Sequence, residues 1–256
     1  MLEISAATRT ERGRRDHNED DLCTGIAGRR WYAVLADGAG GHANGAEASR
    51  RVVDHLDGAL QATDAFSPAA LHEAIRGAHA HLQASQPEAE GRARMHATVV
   101  ALWLDPGTAQ ALWSHVGDSR LYRLRRGCID HVSRDDSVVQ RMVEAGLLRA
   151  DQARTHPHKN QLVSALGIEE GVDPHTTEPP MDLRDGDAFL LCSDGWWEPL
   201  EDQEIAHTLA HAGTPGEWLD LMQRLIEQRD RPRQDNFSAV AVWVGDPAET
   251  TRLLPV

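Results

Sequence analysis

Two aspartate–glycine pairs, each at the end of an apolar run, are the residues of this chain best suited to chemistry. Asp37-Gly38 follows the run 31–36, and Asp194-Gly195 follows the run 188–192. A buried strand holds a carboxylate at its end rigidly, and glycine lets the backbone come close to a bound group. Hard cations bind oxygen ligands of this kind. The pairs therefore predict a shared cation site in a metal-dependent enzyme, the alternative being flexible turns whose aspartates cap helices.

Three further aspartates border predicted strands or lie in a charged segment. Asp235 precedes the last apolar run of the chain, and Asp118 follows a predicted strand. Asp20 lies in the charged segment 14–21 together with Arg15, whose guanidinium fork suits phosphate oxygens. These residues could complete a site for a cation and a phosphate. The simpler interpretation is a turn at Asp118 and Asp235 and a charged surface loop over 14–21.

Other kinds of site find less support in the sequence. The fourteen histidines are dispersed and include no His-Glu-x-x-His pattern, so we interpret them as exposed polar residues rather than zinc ligands. The glycine-rich stretch 38–41 lacks the lysine and serine or threonine of a P-loop. Three widely spaced cysteines without a Cys-x-x-Cys pair argue against a disulfide framework and favour a reducing compartment.

The elements that would position these residues are a mixture of strands and helices. Apolar runs predict strands at 31–36, 98–104, 109–116, 121–124, 188–192 and 237–244. The stretch 239–244 is apolar at every position, which indicates a strand covered on both faces. Apolar residues at helical spacing predict helices around 53–60, 139–147 and 218–225. Strand clusters with helices outside them are typical of mixed α and β folds with sheets packed face to face.

Length and charge narrow the classes of function. A chain of 256 residues can bury a sizeable core, and no linker clearly divides it. Its net charge of −14 argues against nucleic acid or an anionic membrane surface as the main partner. We find neither a signal peptide pattern nor an apolar run long enough to span a membrane, and we therefore expect a cytoplasmic protein.

Five motifs occur in order along the chain. They are Arg15-x-x-Asn18-Glu19-Asp20, Ala36-Asp37-Gly38-x-Gly40-Gly41-His42, Gly117-Asp118-Ser119-Arg120, Ser193-Asp194-Gly195 and Asp235-Asn236. No single motif is specific, but the ordered set closely resembles the PP2C family of metal-dependent protein serine/threonine phosphatases, in particular its bacterial branch. The segment 133–170 resembles the flap of that branch. The likeness runs from about Arg9 to Val244, and it implies a single catalytic domain over 1–256.

The resemblance implies an α+β fold, a four-layer αββα sandwich in which helices flank two central antiparallel sheets. It also implies two ions, Mn²⁺ or Mg²⁺, at one edge of the sandwich. Asp37 would bridge both ions, and the Gly38 carbonyl would serve one of them. Asp194 and Asp235 would hold the other.

Three more roles follow from the resemblance. Asp20 would lie in the coordination shell or just behind it. Asp118 together with Asp194 would form a third and weaker metal site. Arg15 occupies the position of the arginine that binds phosphate.

The implied activity is hydrolysis of phosphoserine and phosphothreonine in proteins by a metal-bridging water, with Asp37, Asp194 and Asp235 as catalytic residues. Two-metal sites orient water for in-line attack and require no phosphoenzyme. We expect a monomer that opposes a serine/threonine kinase. One alternative is a catalytically weak regulator that binds one phosphoprotein partner, and it would predict lost ligand carboxylates, of which none is lost. A small-molecule phosphomonoesterase would need a closed apolar pocket, which the sequence does not reveal.

The chain departs from the family pattern at three places. Ala39 stands where some members carry the histidine that protonates the leaving oxygen, so the resemblance leaves the proton donor unassigned. His42 is a possible substitute, although a structural role beside the helix start is favoured. The segment 95–98 replaces the usual Gly-Thr-Thr, and Asp135-Asp136 stands where histidine is common. We expect these changes to alter substrate choice more than chemistry.

Overall fold

The computed structural model describes residues 2–39, 43–86 and 94–247 of the chain. The strands within them are β1 (Ile4–Glu11), β2 (Asp20–Ala27), β3 (Arg30–Ala39), β4 (His96–Ala97), β5 (Val99–Asp105), β6 (Gln110–Val116), β7 (Arg120–Arg125), β8 (Cys128–Val132), β9 (His175–Thr176), β10 (Met181–Asp182), β11 (Ala188–Cys192) and β12 (Phe237–Val244). The helices are α1 (Ala43–Ala62), α2 (Pro68–Ala84), α3 (Val138–Glu144), α4 (Ala150–Ala153), α5 (Asp194–Trp197), α6 (Asp202–Ala210) and α7 (Pro215–Gln228).

The strands form two antiparallel sheets. One sheet has the order β1-β12-β11-β7-β8. The other has the order β10-β6-β5-β3-β2, with β4 paired to β3 and β9 paired to β6. Strand β12 lies between β1 and β11 and pairs with both. All positions of β12 are buried, which confirms the prediction that this strand is covered on both faces.

Three apolar clusters join the layers of the molecule. Leu35 and Phe189 belong to the cluster between the two sheets. Leu56 of α1 and Leu71 of α2 pack on the outer face of one sheet, and Trp218 of α7 packs on the outer face of the other. Fully burying a large apolar side chain contributes roughly 1.5–3 kcal/mol to stability. The four layers are helices, sheet, sheet and helices, so the predicted αββα sandwich is confirmed.

The predicted strands are all present, and β11 and β12 begin and end at the predicted residues. Helix prediction was less complete. Helix α3 ends at Glu144 rather than near Leu147, because Gly146 adopts a left-handed φ of 71° that stops the helix. Leu147 is 74% exposed and packs no core.

The segment 133–170, predicted as a flap, carries the short helices α3 and α4. Lys159 forms an ion pair with Glu198 and Arg154 with Glu201, and these two glutamates are the first and last residues of the connection between α5 and α6. These contacts fasten the segment to the edge of the sandwich next to Asp194. Among the described helices, none is both long and apolar enough to cross a membrane.

Candidate active site

Five aspartates from five separate stretches of chain lie at one end of the sandwich. Asp20 begins β2 and pairs directly with Asp37 of β3. Asp118 lies in the turn between β6 and β7, Asp194 begins α5, and Asp235 lies just before β12. A cavity of about 210 Å³ is lined by all of these except Asp20, whose carboxylate lies behind it. The structure therefore brings the predicted acidic residues together.

Both glycines of the aspartate–glycine pairs lie where two backbones meet. A Cβ on Gly38 would lie 2.0 Å from the carbonyl oxygen of Gly45, and one on Gly195 would lie 2.0 Å from that of Asn236. The Gly38 N–H also donates to the Glu19 carbonyl at 3.0 Å. The sequence suggested that glycine makes room for a bound group. In the structure Gly38 lets β3 approach the start of α1, and Gly195 lets α5 approach the loop before β12, and these close contacts fix the aspartates.

Thr98 and Ser119 hold the backbone around Asp37. The Asp37 N–H donates to the Thr98 hydroxyl at 3.1 Å, and the Thr98 N–H donates to the Asp37 carbonyl at 2.8 Å. The Thr98 and Ser119 hydroxyls are hydrogen-bonded at 2.7 Å. This contact links the loop that carries Asp118 to the strand that carries Asp37. Ser119 belongs to one of the five motifs and Thr98 to the segment 95–98, but the sequence assigned neither residue this role, since their partners lie far away along the chain.

Ser193 performs a similar role for Asp20. Its hydroxyl donates to the Asp20 carboxylate at 2.8 Å and accepts from the Ser238 N–H at 3.0 Å. Asp20 is only 9% exposed. The remaining buried oxygen of Asp20 has no hydrogen-bond partner, and the same is true of one buried oxygen of Asp194. Buried carboxylate oxygens without donors are costly, and they suit a site that a cation completes.

Asn236 fastens the segment that carries Arg15. Its side chain accepts from the Glu19 N–H at 2.8 Å and donates to the carbonyls of Arg12 and His17, both at 2.8 Å. Arg15 itself donates to the Asp235 carboxylate at 2.5 Å. Side chains from opposite ends of the sequence therefore meet here. Arg15 lines the cavity beside the aspartates, as a phosphate-binding arginine would.

The aspartates raise one another's pKa values. Burial raises the pKa of Asp20 to about 7, and the nearby charges of Asp194 and Asp235 add to the effect. Burial and Asp235 raise the pKa of Asp194 to about 6. The pKa values of Asp37 and Asp118 are raised well above the ordinary range by burial first and by neighbouring aspartates second. The cluster therefore carries more negative charge than the protein alone balances.

The donor set fits divalent cations such as Mn²⁺ and Mg²⁺. It consists of carboxylate oxygens with unpaired buried atoms, which is the oxygen chemistry these ions prefer. Across residues 2–39, 43–86 and 94–247, no three His, Cys, Asp or Glu side chains are arranged closely enough to hold a metal ion as they stand. The fit of this site to divalent cations therefore rests on the negative charge of the aspartates and on the burial of their unpaired oxygens.

The departures from the family pattern fall on two sides of the cavity. Asp135 binds Arg120 through two hydrogen bonds of 2.8 Å, and Asp136 accepts from the Gly117 N–H at 3.0 Å. Both aspartates therefore attach the start of the segment 133–170 to the residues around Asp118. On the other side, His96 of β4 is paired with Ala39 of β3.

His96 lines the same cavity as the aspartates. Directly paired residues of antiparallel strands place their side chains on the same face, so His96 lies beside the position where some relatives carry histidine. Burial first and Arg94 second lower the pKa of His96. The sequence marked the segment 95–98 only as unusual and missed this placement. His42, the substitute that the sequence offered, lies outside the described residues.

Comparisons with known proteins agree with this site. The sequence model of the family "Protein phosphatase 2C" matches residues 9–236. The serine/threonine protein phosphatase PstP of Mycobacterium tuberculosis is 36% identical over 256 residues, which cover 96% of this chain and 46% of PstP. The chain thus spans about half the length of that relative. The serine/threonine phosphatase stp of Listeria innocua is 30% identical, covering 93% of this chain and 95% of stp.

A solved structure is similar as well. The catalytic domain of PstP in complex with two manganese ions has a TM-score of 0.81 and 31% identity, covering 96% of this chain and all of that one. The family match extends over most of the chain and includes every aspartate of the cluster. The chain belongs to the protein phosphatase 2C family.

Proposed function

We propose that this protein is a metal-dependent phosphatase that hydrolyses phosphoserine and phosphothreonine monoesters in proteins. The observation that carries the proposal is the cluster of buried and half-buried aspartates at the cavity lined by Arg15, where burial and the neighbouring aspartates raise the pKa of Asp37. A second function, phosphoprotein binding without hydrolysis, is not favoured because every aspartate of the cluster is present.

The residues proposed to hold two ions of Mn²⁺ or Mg²⁺ are Asp37, the Gly38 carbonyl, Asp194 and Asp235. Asp20 supports them from behind, and Asp118 with Asp194 is proposed for a third ion. Bound divalent ions lower the pKa of water and stabilise negative charge on phosphoryl oxygens. The protein contributes rigid placement of the carboxylates, through the hydrogen bonds of Thr98 and Ser193.

Arg15 is proposed to bind the phosphoryl group of the substrate. Its guanidinium uses one nitrogen for Asp235 and is more than half exposed, which leaves donors for phosphate oxygens. A guanidinium binds two phosphate oxygens side by side, which orients the group as well as neutralising it. His96 is proposed as the proton donor to the leaving oxygen, because Ala39 cannot supply one.

The decisive experiment is hydrolysis of a phosphothreonine peptide with Mn²⁺, with a chelator, and by the Asp194→Asn variant. We expect turnover with Mn²⁺ and a loss of at least about 10²-fold in the other two cases. Asp173→Asn is the matched control, since the Asp173 side chain is 99% exposed. Full activity in chelator would overturn the metal mechanism. No hydrolysis of several phosphopeptides with either ion would overturn the function.

The biological setting is also a proposal. We infer a monomer in the cytoplasm that opposes a serine/threonine kinase by acting on its phosphorylated proteins. Free thiols at Cys23, Cys128 and Cys192 support a reducing compartment.

A further inference from the structure

A groove of about 640 Å³ opens from the catalytic cavity. It runs between the segment 133–170 and the loop that precedes β12. The groove and the cavity share four lining residues: Arg15, Asn160, Asp194 and Asp235. A phosphoryl group beside Arg15 would therefore lie at the mouth of a larger space, which the neighbouring residues of a substrate chain could enter.

Four basic side chains line this groove in a chain whose net charge is −14: Arg15, Lys159, Arg231 and Arg233. Lys159 is the only lysine in the sequence. Three carboxylates also line the groove: Asp194, Glu198 and Asp235. The balance between the two sets decides which ligand the groove favours.

The pairing of these groups leaves positive charge in excess. Glu198 accepts from both Lys159 and Arg231, so one carboxylate faces two cations. Arg233 is exposed and makes no hydrogen bond or ion pair with any other described residue. Asp235 already faces Arg15, and Asp194 belongs to the proposed cation site. An anion that enters the groove would have available the exposed Arg233 together with Lys159 and Arg231, whose positions Glu198 fixes.

We propose that this groove binds a second anionic side chain of the substrate, a carboxylate or a further phosphate close to the phosphoresidue that is hydrolysed. The inference rests on the proposed function and narrows it to phosphoproteins with acidic or multiply phosphorylated sites. Arg233 and Arg231 act as specificity residues. The excess positive charge of the groove attracts acidic or phosphorylated segments of the substrate over distances up to the Debye length.

Three phosphothreonine peptides, identical except for the flanking residues, test the proposal with the Mn²⁺-loaded protein. One carries alanine on both sides, one carries glutamate, and one carries a second phosphoserine. We expect kcat/KM to be about three- to tenfold higher for an anionic peptide than for the alanine peptide, chiefly through KM and less so at high salt. A gain with glutamate identifies carboxylate as sufficient, and a gain only with phosphoserine identifies phosphate. No gain for either peptide would overturn the proposal.

The variant Arg233→Ala should reduce this preference to about twofold or less. Arg29→Ala is the matched control, because Arg29 is also exposed and lies in the β2–β3 turn, at the far end of the strand that begins with Asp20. An unchanged preference in Arg233→Ala, or an equal loss in Arg29→Ala, would contradict the assignment. If no peptide is hydrolysed, the proposed function fails. Equal hydrolysis of all three removes only this inference.

The single lysine provides a readout that does not depend on turnover. An amine-specific reagent labels Lys159 and the α-amino group, and mass spectrometry distinguishes the two sites. The probes are non-hydrolysable phosphonate versions of the three peptides, made without lysine and with acetylated N-termini. The peptides with anionic flanking residues should protect Lys159 several-fold more than the alanine-flanked peptide. Equal protection by the alanine-flanked peptide would count against binding of the second anion in the groove.

Discussion

An aspartate lies at each end of strand β11, and the charges of these two carboxylates are balanced differently. Asp187, just before the strand, is 0% exposed, and its oxygens accept from Arg125 at 2.6 and 2.7 Å. It also accepts from the Arg184 N–H at 2.9 Å. Asp194, just after the strand, keeps one buried oxygen without a donor, and its pKa is raised to about 6 by burial and Asp235.

The contrast separates a carboxylate that builds the fold, Asp187, from one that we propose binds a cation, Asp194. A buried charge is tolerated when an arginine and a backbone N–H satisfy it, as at Asp187. At the other end of the strand, burial and Asp235 raise the pKa of Asp194, and Lys159 and Arg15 oppose this effect without cancelling it. The aspartate cluster lies at one end of the strand and the fully paired Asp187 at the other, and this asymmetry supports the proposed cation site.

Exchanging each aspartate for asparagine tests the contrast most strongly. Asp194→Asn should abolish hydrolysis while the metal-free protein becomes no less stable, because a repelling charge is removed. Asp187→Asn should lower the free energy of unfolding by about 3 kcal/mol, since it leaves Arg125 without its partner, and the folded fraction should still hydrolyse substrate. Urea unfolding in chelator and activity per folded molecule measure the two effects. Comparable destabilisation by both substitutions would remove the distinction.

Asp20 belongs to the same aspartate cluster as Asp194, and the pH dependence of its contribution to stability is a second test of the contrast with Asp187. In the unfolded chain its carboxyl has an ordinary pKa near 3.8, whereas in the metal-free fold the pKa is raised to about 7. The folded state therefore loses stability as pH rises from about 4 to about 7, and the loss persists above that range. The Asp20→Asn substitution avoids this loss.

In chelator, the Asp20→Asn variant is therefore expected to be more stable than the parent by up to about 4 kcal/mol at pH 8 and nearly equal to it at pH 4. Thermal unfolding at the two pH values provides the measurement. Saturating Mn²⁺ should shrink the difference at pH 8. A difference that does not change with pH would show that Asp20 is already satisfied in the folded protein.

The sequence predicted those parts of the fold whose pattern is local. Strands β11 and β12 are apolar throughout because both faces are covered, so their bounds were correct. Helix α2 was missed because its buried face includes Ala78 and His79 beside larger apolar side chains, which blurs the pattern. Strands β1 and β2 were missed because most of their residues are exposed or half-buried.

The same division holds for the candidate site. The aspartates were found from strand ends and from the order of the motifs, both of which are visible in the sequence. Ser193 and Asn236 were noted as members of motifs and Thr98 as part of the segment 95–98, but the sequence assigned them no role, because an ordinary polar residue gains its role only from a partner brought near by folding. Ser193 and Asp20 are separated by 173 positions. His96 became a candidate only when the register placed it opposite Ala39.

His96 gives the smallest expected effect, and it tests whether the Asp194 end supplies protons as well as cation ligands. An alkoxide leaving group from phosphothreonine needs a proton, whereas nitrophenolate leaves without one. His96→Asn should therefore lower kcat about tenfold for a phosphothreonine peptide and much less for p-nitrophenyl phosphate. Because burial and Arg94 lower the pKa of His96, the protonated ring is scarcer at neutral pH, and the effect should grow toward pH 6. Equal loss with both substrates, independent of pH, would reduce His96 to a structural neighbour of Ala39 and leave water as the proton source.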